Sequence, residues 1–177
     1  MSKNIILAVT GSIASYKAAD ITAIFKKSGF NVTILMTREA GRFITPLTLQ
    51  TLSGNEVIDD MFAEPKMWDP IHVSLAEKAD LILIAPATAN IIGKIACGIA
   101  DDILTCVVMA ARAPVLIAPA MNDNMYKNRI VQDNILKLKK LGYKFIGPDK
   151  GRLASGKVGL GRLADTKDIL IAAKRLL

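Results

Sequence analysis

One histidine, His72, occurs among the 177 residues. An imidazole moves protons near neutral pH without extensive tuning, which makes His72 the natural general base or acid. A lone histidine more often serves structure or surface, and only a ligand beside it changes that balance. Gly11-Ser12 and Thr37 each follow an apolar run, where backbone N–H groups and hydroxyls suit a phosphate. The same residue types cap helices equally well. Asn122 lies in the run Pro119 to Met125, PAMNDNM. Its amide both donates and accepts, as a substrate carboxylate or amide requires, although spacing alone reads it as a turn. Gly147 to Arg162 holds five glycines in 16 residues, a mobile segment that is either a lid or a disordered excursion. Cys97 and Cys106 sit in apolar surroundings without metal-ligand spacing and read as buried reduced thiols; no metal site is expected.

These groups need elements to position them. Residues 4–10, NIILAVT, form a short continuous apolar run of the kind buried on both faces of a parallel sheet. A turn at 11–15 leads to a helix from about Tyr16 to Lys27, ended by Gly29. Val32 to Met36 is a second strand, so the first 36 residues read as a β-α-β unit. Gly11 is followed by Ser12, Ile13 and Ala14, which breaks the three-glycine dinucleotide fingerprint and favours a mononucleotide or other phosphate over NAD. A helix over 40–53, restarting near Thr45-Pro46, precedes the least regular stretch, Gly54 to Pro70, read as an exposed excursion. Residues 71–76 form a short strand or a helix entry.

The longest patterned stretch is Leu81 to Thr105, LILIAPATANIIGKIACGIADDILT. It opens as a buried strand, turns through Pro-Ala-Thr-Ala-Asn and enters a small-residue helix. Open α/β sheets place ligands at such a point, though an ordinary strand-turn-helix of the core reads the same way. A helix over 103–111, a strand over 114–118, a helix over 128–141 and a last short strand over 144–146 follow. Asp165 caps a terminal helix. No repeat or linker interrupts the pattern, so residues 1–177 form one α/β domain.

Composition narrows the function classes. The formal charge of +7 arises from 23 Lys and Arg against 16 Asp and Glu, with small clusters at probable helix ends. Only 5% of residues are aromatic, so the stacking platforms of nucleic-acid binders are missing, and attraction to phosphorylated small molecules is the better reading. The apolar runs fall short of the roughly 20 residues of a membrane span. The start lacks the long apolar region and cleavage site of a secretory signal, and a cytoplasmic protein is the expectation.

Taken in order, Gly11 to Lys17 (GSIASYK), Phe43 to Leu47 (FITPL), Ile71-His72-Val73, Ala85 to Asn90 (APATAN), Gly98 to Asp102 (GIADD) and the PAMNDNM run resemble the homo-oligomeric flavin-containing cysteine decarboxylases. The last run is the most specific, fitting that family's Pro-x-Met-Asn-x-x-Met pattern, and the resemblance covers nearly the whole chain. It implies a flavodoxin-like (Rossmann-like) parallel sheet with helices on both faces, in three layers. It also implies a homotrimer, or a dodecamer of trimers, with FMN between subunits. By position, Gly11, Ser12, Ile13 and Thr37 would hold the FMN phosphate region and Phe43 would lie against the ring. Thr88, Ala89, Asn90 and Ala118 would line the rest. His72 matches the active-site base, supplied by the neighbouring subunit. Asn122 and Met125 match residues that hold the cysteine carboxylate end, and 147–162 matches a mobile substrate clamp with Ala154 and Gly156 against the substrate.

The implied reaction, in the coenzyme A branch of that family, is decarboxylation of 4'-phosphopantothenoylcysteine to 4'-phosphopantetheine. Oxidation to a thioaldehyde, loss of CO2 and re-reduction follow one another, with a clamp cysteine supplying a proton. This sequence departs there: the usual Ala-Cys-Gly is Ala154-Ser155-Gly156. A serine hydroxyl is a far weaker acid than a thiol, whose ordinary pKa is about 8.5. Another donor, a deliberate substitution, or release of an enethiol as in the peptidyl-cysteine decarboxylases of lantibiotic maturation would each account for it. Two relatives of the fold remain as alternatives. Flavin prenyltransferases lack the His72 and PAMNDNM features, and the FMN-binding phosphatase regulators carry acidic extensions this sequence does not show. A C-terminal synthetase domain is a further expectation for the intact protein.

Overall fold

The computed structural model describes residues 2–62 and 70–177. Pro65, Trp68 and Asp69, part of the expected excursion, lie outside the described residues. Continuous apolar runs become parallel strands: β1 (Asn4–Val9), β2 (Asn31–Met36), β3 (Val57–Ile58), β4 (Leu81–Ala87), β5 (Val115–Pro119) and β6 (Lys144–Phe145). They form one sheet in the order β3-β2-β1-β4-β5-β6, every pair parallel. Leaving aside the two-residue β3, the other five follow the 2-1-3-4-5 order of flavodoxin-like folds. The topological switch therefore falls between β1 and β4.

Alternation along the strands sends side chains to two cores, because successive residues point to opposite faces. Ile5, Leu7 and Val9 of β1, with Leu81, Leu83 and Ala85 of β4, meet α1 (Lys17–Lys27), α2 (Pro46–Ser53) and the later α8 (Thr166–Lys174). Ile6 and Ala8, with Ile82 and Ile84, meet α3 (Ile71–Lys78), α4 (Ala89–Cys97), α5 (Ile103–Ala110) and α7 (Arg129–Lys140). Three layers result, as expected. The basic clusters close α1, α7 and α8, with Lys26-Lys27, Lys137, Lys139 and Lys140, and Lys174 in their last turns. There they complement the negative end of the dipole.

The sequence reading is corrected at several points. The turn after β1 winds into a 3-10 segment, Ile13–Tyr16, before α1 begins. Residues 71–78 are helix, the second of the two readings left open there, and the PAMNDNM run contains a short helix, α6 (Asp123–Lys127). Where a structureless glycine-rich loop was expected, β7 (Asp149–Arg152) and β8 (Val158–Arg162) pair antiparallel as a hairpin. The cysteines are not buried: Cys97 is exposed and Cys106 partly so. The inward stripe of α4 is Ile91, Ile92, Ile95 and Ala96, leaving Cys97 at the solvent end before Gly98. The Sγ of Cys106 reaches the Ala100 carbonyl at 3.4 Å.

Candidate active site

The ends of β1 and β4 are tied together at the switch point by one buried hydroxyl. Thr10 Oγ1 donates to the Pro86 carbonyl at 2.7 Å and accepts from the Thr88 N–H at 3.1 Å. Beyond this tie the chain leaves β1 through Gly11 and Ser12 and leaves β4 through Thr88, Ala89 and Asn90. A side chain at Gly11 would meet Glu39 Cβ at 2.5 Å, so only glycine lets the turn after β1 approach the turn after β2. The strand ends open into a cavity of about 930 Å³.

Segments far apart in the chain wall this cavity. Gly11, Ser12, Ile13, Thr37, Thr88, Ala89, Asn90, Asn122, Met125, Ala154 and Ser155 all line it, so eleven positions singled out from the sequence converge. His72, Phe43, Ala118 and Gly156 do not line it. Ala118 is buried inside β5, two residues before Ala120, which does reach the wall. Phe43 is exposed beyond the turn after β2, and His72 is partly exposed in the first turn of α3.

The hydroxyls turn out to be caps as well as wall groups. Ser12 Oγ accepts from the Ala14 N–H at 3.2 Å, Thr37 Oγ1 from Ala40 at 3.3 Å and Thr88 Oγ1 from Ile91 at 3.3 Å. Capping uses the oxygen lone pairs and leaves each hydroxyl its proton to donate; that of Ser12 points to the Ala120 carbonyl in a long contact of 3.5 Å. The two readings of these residues are therefore compatible. Asn122 behaves alike: its Oδ1 caps α6 through the Asn124 N–H at 2.9 Å, leaving the amide NH2 as a donor.

Sequence reasoning missed most of the charged wall. Lys94 Nζ bonds Asp101 at 2.7 Å and Asp102 at 3.0 Å. Burial pushes Asp102 up, but the Thr105 N–H, Lys94 and the Thr105 hydroxyl outweigh it and hold the carboxyl below its usual value of 3.8. Burial likewise depresses Lys94, and the two aspartates overcome it, leaving the ammonium above its ordinary 10.5. Lys17, Glu39, Arg152 and Arg162 also line the cavity. The signal available was the identity of residues flanking motifs: Thr10 is the first polar residue after the β1 run, and Arg152 and Arg162 bracket the glycines.

The residues fit a phosphorylated, aromatic cofactor. The volume lies within the roughly 300–1,000 Å³ of cofactor pockets. The Ser12, Thr37 and Thr88 positions and the start of the 3-10 segment supply polar groups to the lining. Apolar Ile13, Ala89, Ile91, Met121 and Leu163 line the walls. Among the described residues no group of three or more His, Cys, Asp or Glu converges to hold a metal, and no helix is long and apolar enough to cross a membrane.

Comparison with known proteins agrees with this chemistry. A bifunctional coenzyme A biosynthesis protein, CoaBC, of Bacillus subtilis (strain 168) is 49% identical over 174 residues, 98% of this chain. The chain spans 43% of that relative's length. A probable phosphopantothenoylcysteine decarboxylase of Streptococcus mutans serotype c is 49% identical over 172 residues, 96% of each chain. Among solved structures, a cysteine-to-serine mutant of PPC decarboxylase complexed with pantothenoylaminoethenethiol superposes with a TM-score of 0.90 at 32% identity, over 99% of this chain and 98% of that one. The FMN-dependent cysteine decarboxylase SpaF gives 0.85 at 31% identity, over 97% and 94%. The family model described as Flavoprotein matches residues 1–177, and the chain belongs to that family.

Proposed function

We propose that this chain is an FMN-dependent carboxy-lyase that converts 4'-phosphopantothenoylcysteine to 4'-phosphopantetheine in coenzyme A biosynthesis. It works in the cytoplasm, as one flavin domain, in a homotrimer or an assembly of trimers. The chain spans 43% of the bifunctional relative, whose remaining length would suit a fused synthetase domain, and 96% of the Streptococcus mutans relative, which would suit a stand-alone enzyme. The observation that carries the reading is the convergence of the GSIAS turn, the APATAN loop, the PAMNDNM segment and the hairpin tip on one cavity.

A cysteinyl carboxylate has no electron sink of its own, so direct loss of CO2 would leave an unstabilised carbanion. When bound, the flavin supplies a hydride acceptor for the carbon bearing sulfur, which creates the thioaldehyde that can take up the electron pair of the departing carboxylate. The chain's residues do the rest. Gly11, Ser12, Ile13 and Thr37 hold the phosphate end of FMN, and Thr88, Ala89 and Asn90 line its length. The Asn122 amide donates to the substrate carboxylate and Met125 packs beside it. His72 takes the thiol proton at an imidazole nitrogen, so that the sulfur carries charge while the carbon is oxidised. His72 and Phe43 lie off the cavity of their own chain, which supports their completing a neighbour's site. Ala154, Ser155 and Gly156 close over the substrate and exclude water.

Ser155 favours a second reading for the last step. Without a thiol to donate the final proton, the reaction can stop after one event per flavin at the enethiol, two hydrogens lighter than 4'-phosphopantetheine, and the hydride taken from the substrate would then stay with the cofactor. Anaerobic incubation with 4'-phosphopantothenoylcysteine, followed by mass analysis, separates the two: the phosphopantetheine mass supports full turnover. The lighter mass, corrected by Ser155→Cys, assigns the arrest to Ser155. Unchanged substrate refutes the decarboxylase reading.

A further inference from the structure

The hairpin that carries Ser155 is fastened at one point by a carboxylate with no assigned role. Asp123 stands at the start of α6, immediately after Asn122. Its Oδ1 accepts from the Leu160 N–H of β8 at 3.0 Å, and its Oδ2 takes Lys127 Nζ at 2.9 Å, one turn along the same helix. The hairpin is shaped to admit it. A side chain at Gly159 would meet Asp123 Cβ and Cγ at 3.0 Å, and one at Gly161 would meet the Met121 carbonyl oxygen at 2.1 Å. The Met121 N–H in turn bonds the Gly161 carbonyl at 3.0 Å. Among the described residues, the backbone bonds at the far end of the hairpin are internal to it, Leu153 N–H to the Lys157 carbonyl at 2.8 Å and Gly156 N–H to the Leu153 carbonyl at 2.9 Å. Ser155 sits there, exposed, against the cavity.

We propose that Asp123 is a positioning residue: its carboxylate latches β8 to the segment bearing Asn122 and so sets the hairpin tip over the cavity. The bond from Leu160 lies five residues from Ser155, between the glycines that permit close approach. Two groups expected to touch substrate, Asn122 and Ser155, are thereby referred to one rigid point. Lys127 draws the carboxylate's charge and orients it, so that Oδ1 faces the strand. The role of the tip as a clamp rests on the proposed function, whereas the latch itself does not.

Residue-resolved hydrogen exchange on the flavin-loaded full chain tests it without substrate. Asp123→Ala is expected to speed exchange at the Leu160 amide by about tenfold or more, the scale of losing a hydrogen bond to a charged acceptor. Core amides of Ile6 and Leu83 should stay unchanged, and tryptic cleavage after Arg152 and Lys157 should accelerate. Asp123→Asn keeps an acceptor oxygen and should restore most of the protection, and Gly159→Ala should loosen the strand as the alanine at 123 does. With the cysteine conjugate, Asp123→Ala should raise KM more than it lowers kcat at unchanged flavin content. Unaltered Leu160 exchange in Asp123→Ala, or a parallel rise across the core amides, overturns the latch. Loosened exchange in a protein that decarboxylates nothing leaves the latch standing and refutes the functional reading instead.

Discussion

Replacing Thr10 by valine isolates the bond that joins the two strand ends beneath the cavity. Valine matches the shape of threonine but removes the hydroxyl, so packing is kept while two hydrogen bonds vanish. Thr10 is 1% exposed, and its partners are the Pro86 carbonyl and the Thr88 N–H, at 2.7 and 3.1 Å. Each would be left without a partner, at a cost of about 1–3 kcal/mol for the buried carbonyl and the low end of that range for the part-buried N–H, or about 2–4 kcal/mol together. Thr10→Ser keeps both bonds and loses one buried methyl, worth about 1 kcal/mol. Urea unfolding at fixed protein concentration should therefore show a lower midpoint for valine than for serine, at equal slope. Flavin affinity should fall in the same order, because Thr88 caps α4 at the cavity wall. If valine costs no more than serine, the tie at the switch point does not hold the crevice and this reasoning fails.

Gly161→Ala places a methyl on the Met121 carbonyl oxygen and should cost about 1–3 kcal/mol through forced backbone movement, whereas Gly41→Ala, with open space at its Cβ, should be near neutral by thermal unfolding. Acid titration of stability should reveal Asp102. Its folded pKa lies below 3.8, so its stabilisation is complete above about pH 4 and is lost as pH falls through the depressed value, and Asp102→Asn should flatten that part of the curve. His72→Asn should leave the flavin spectrum unchanged and abolish turnover; unaltered turnover would remove His72 from the reaction.

Much of the fold was legible because burial on both faces leaves an unambiguous mark. IILAV, LILIA and VLIA are continuous apolar runs, and each is a strand of the parallel sheet. β3 escaped notice because two residues at a sheet edge carry no periodicity. The hairpin escaped because its glycines answer to tertiary contact: Gly159 and Gly161 are small to admit Asp123 and Met121, and from sequence alone that resembles flexibility. The site was legible where a strand end met small polar residues, as at Ser12, Thr37 and Thr88. Thr10, Lys94 and Asp102 were not, since their importance lies in partners up to 78 residues away or across a helix terminus. The cysteines were misplaced because apolar neighbours along a helix say little about one residue's side of it.

The most direct test of the account is release of labelled CO2 from carboxyl-labelled 4'-phosphopantothenoylcysteine by the flavin-loaded chain under anaerobic conditions. The account predicts release of label in at least one equivalent per bound flavin, and none from His72→Asn loaded with the same flavin. A chain that binds flavin fully and releases no label would contradict it.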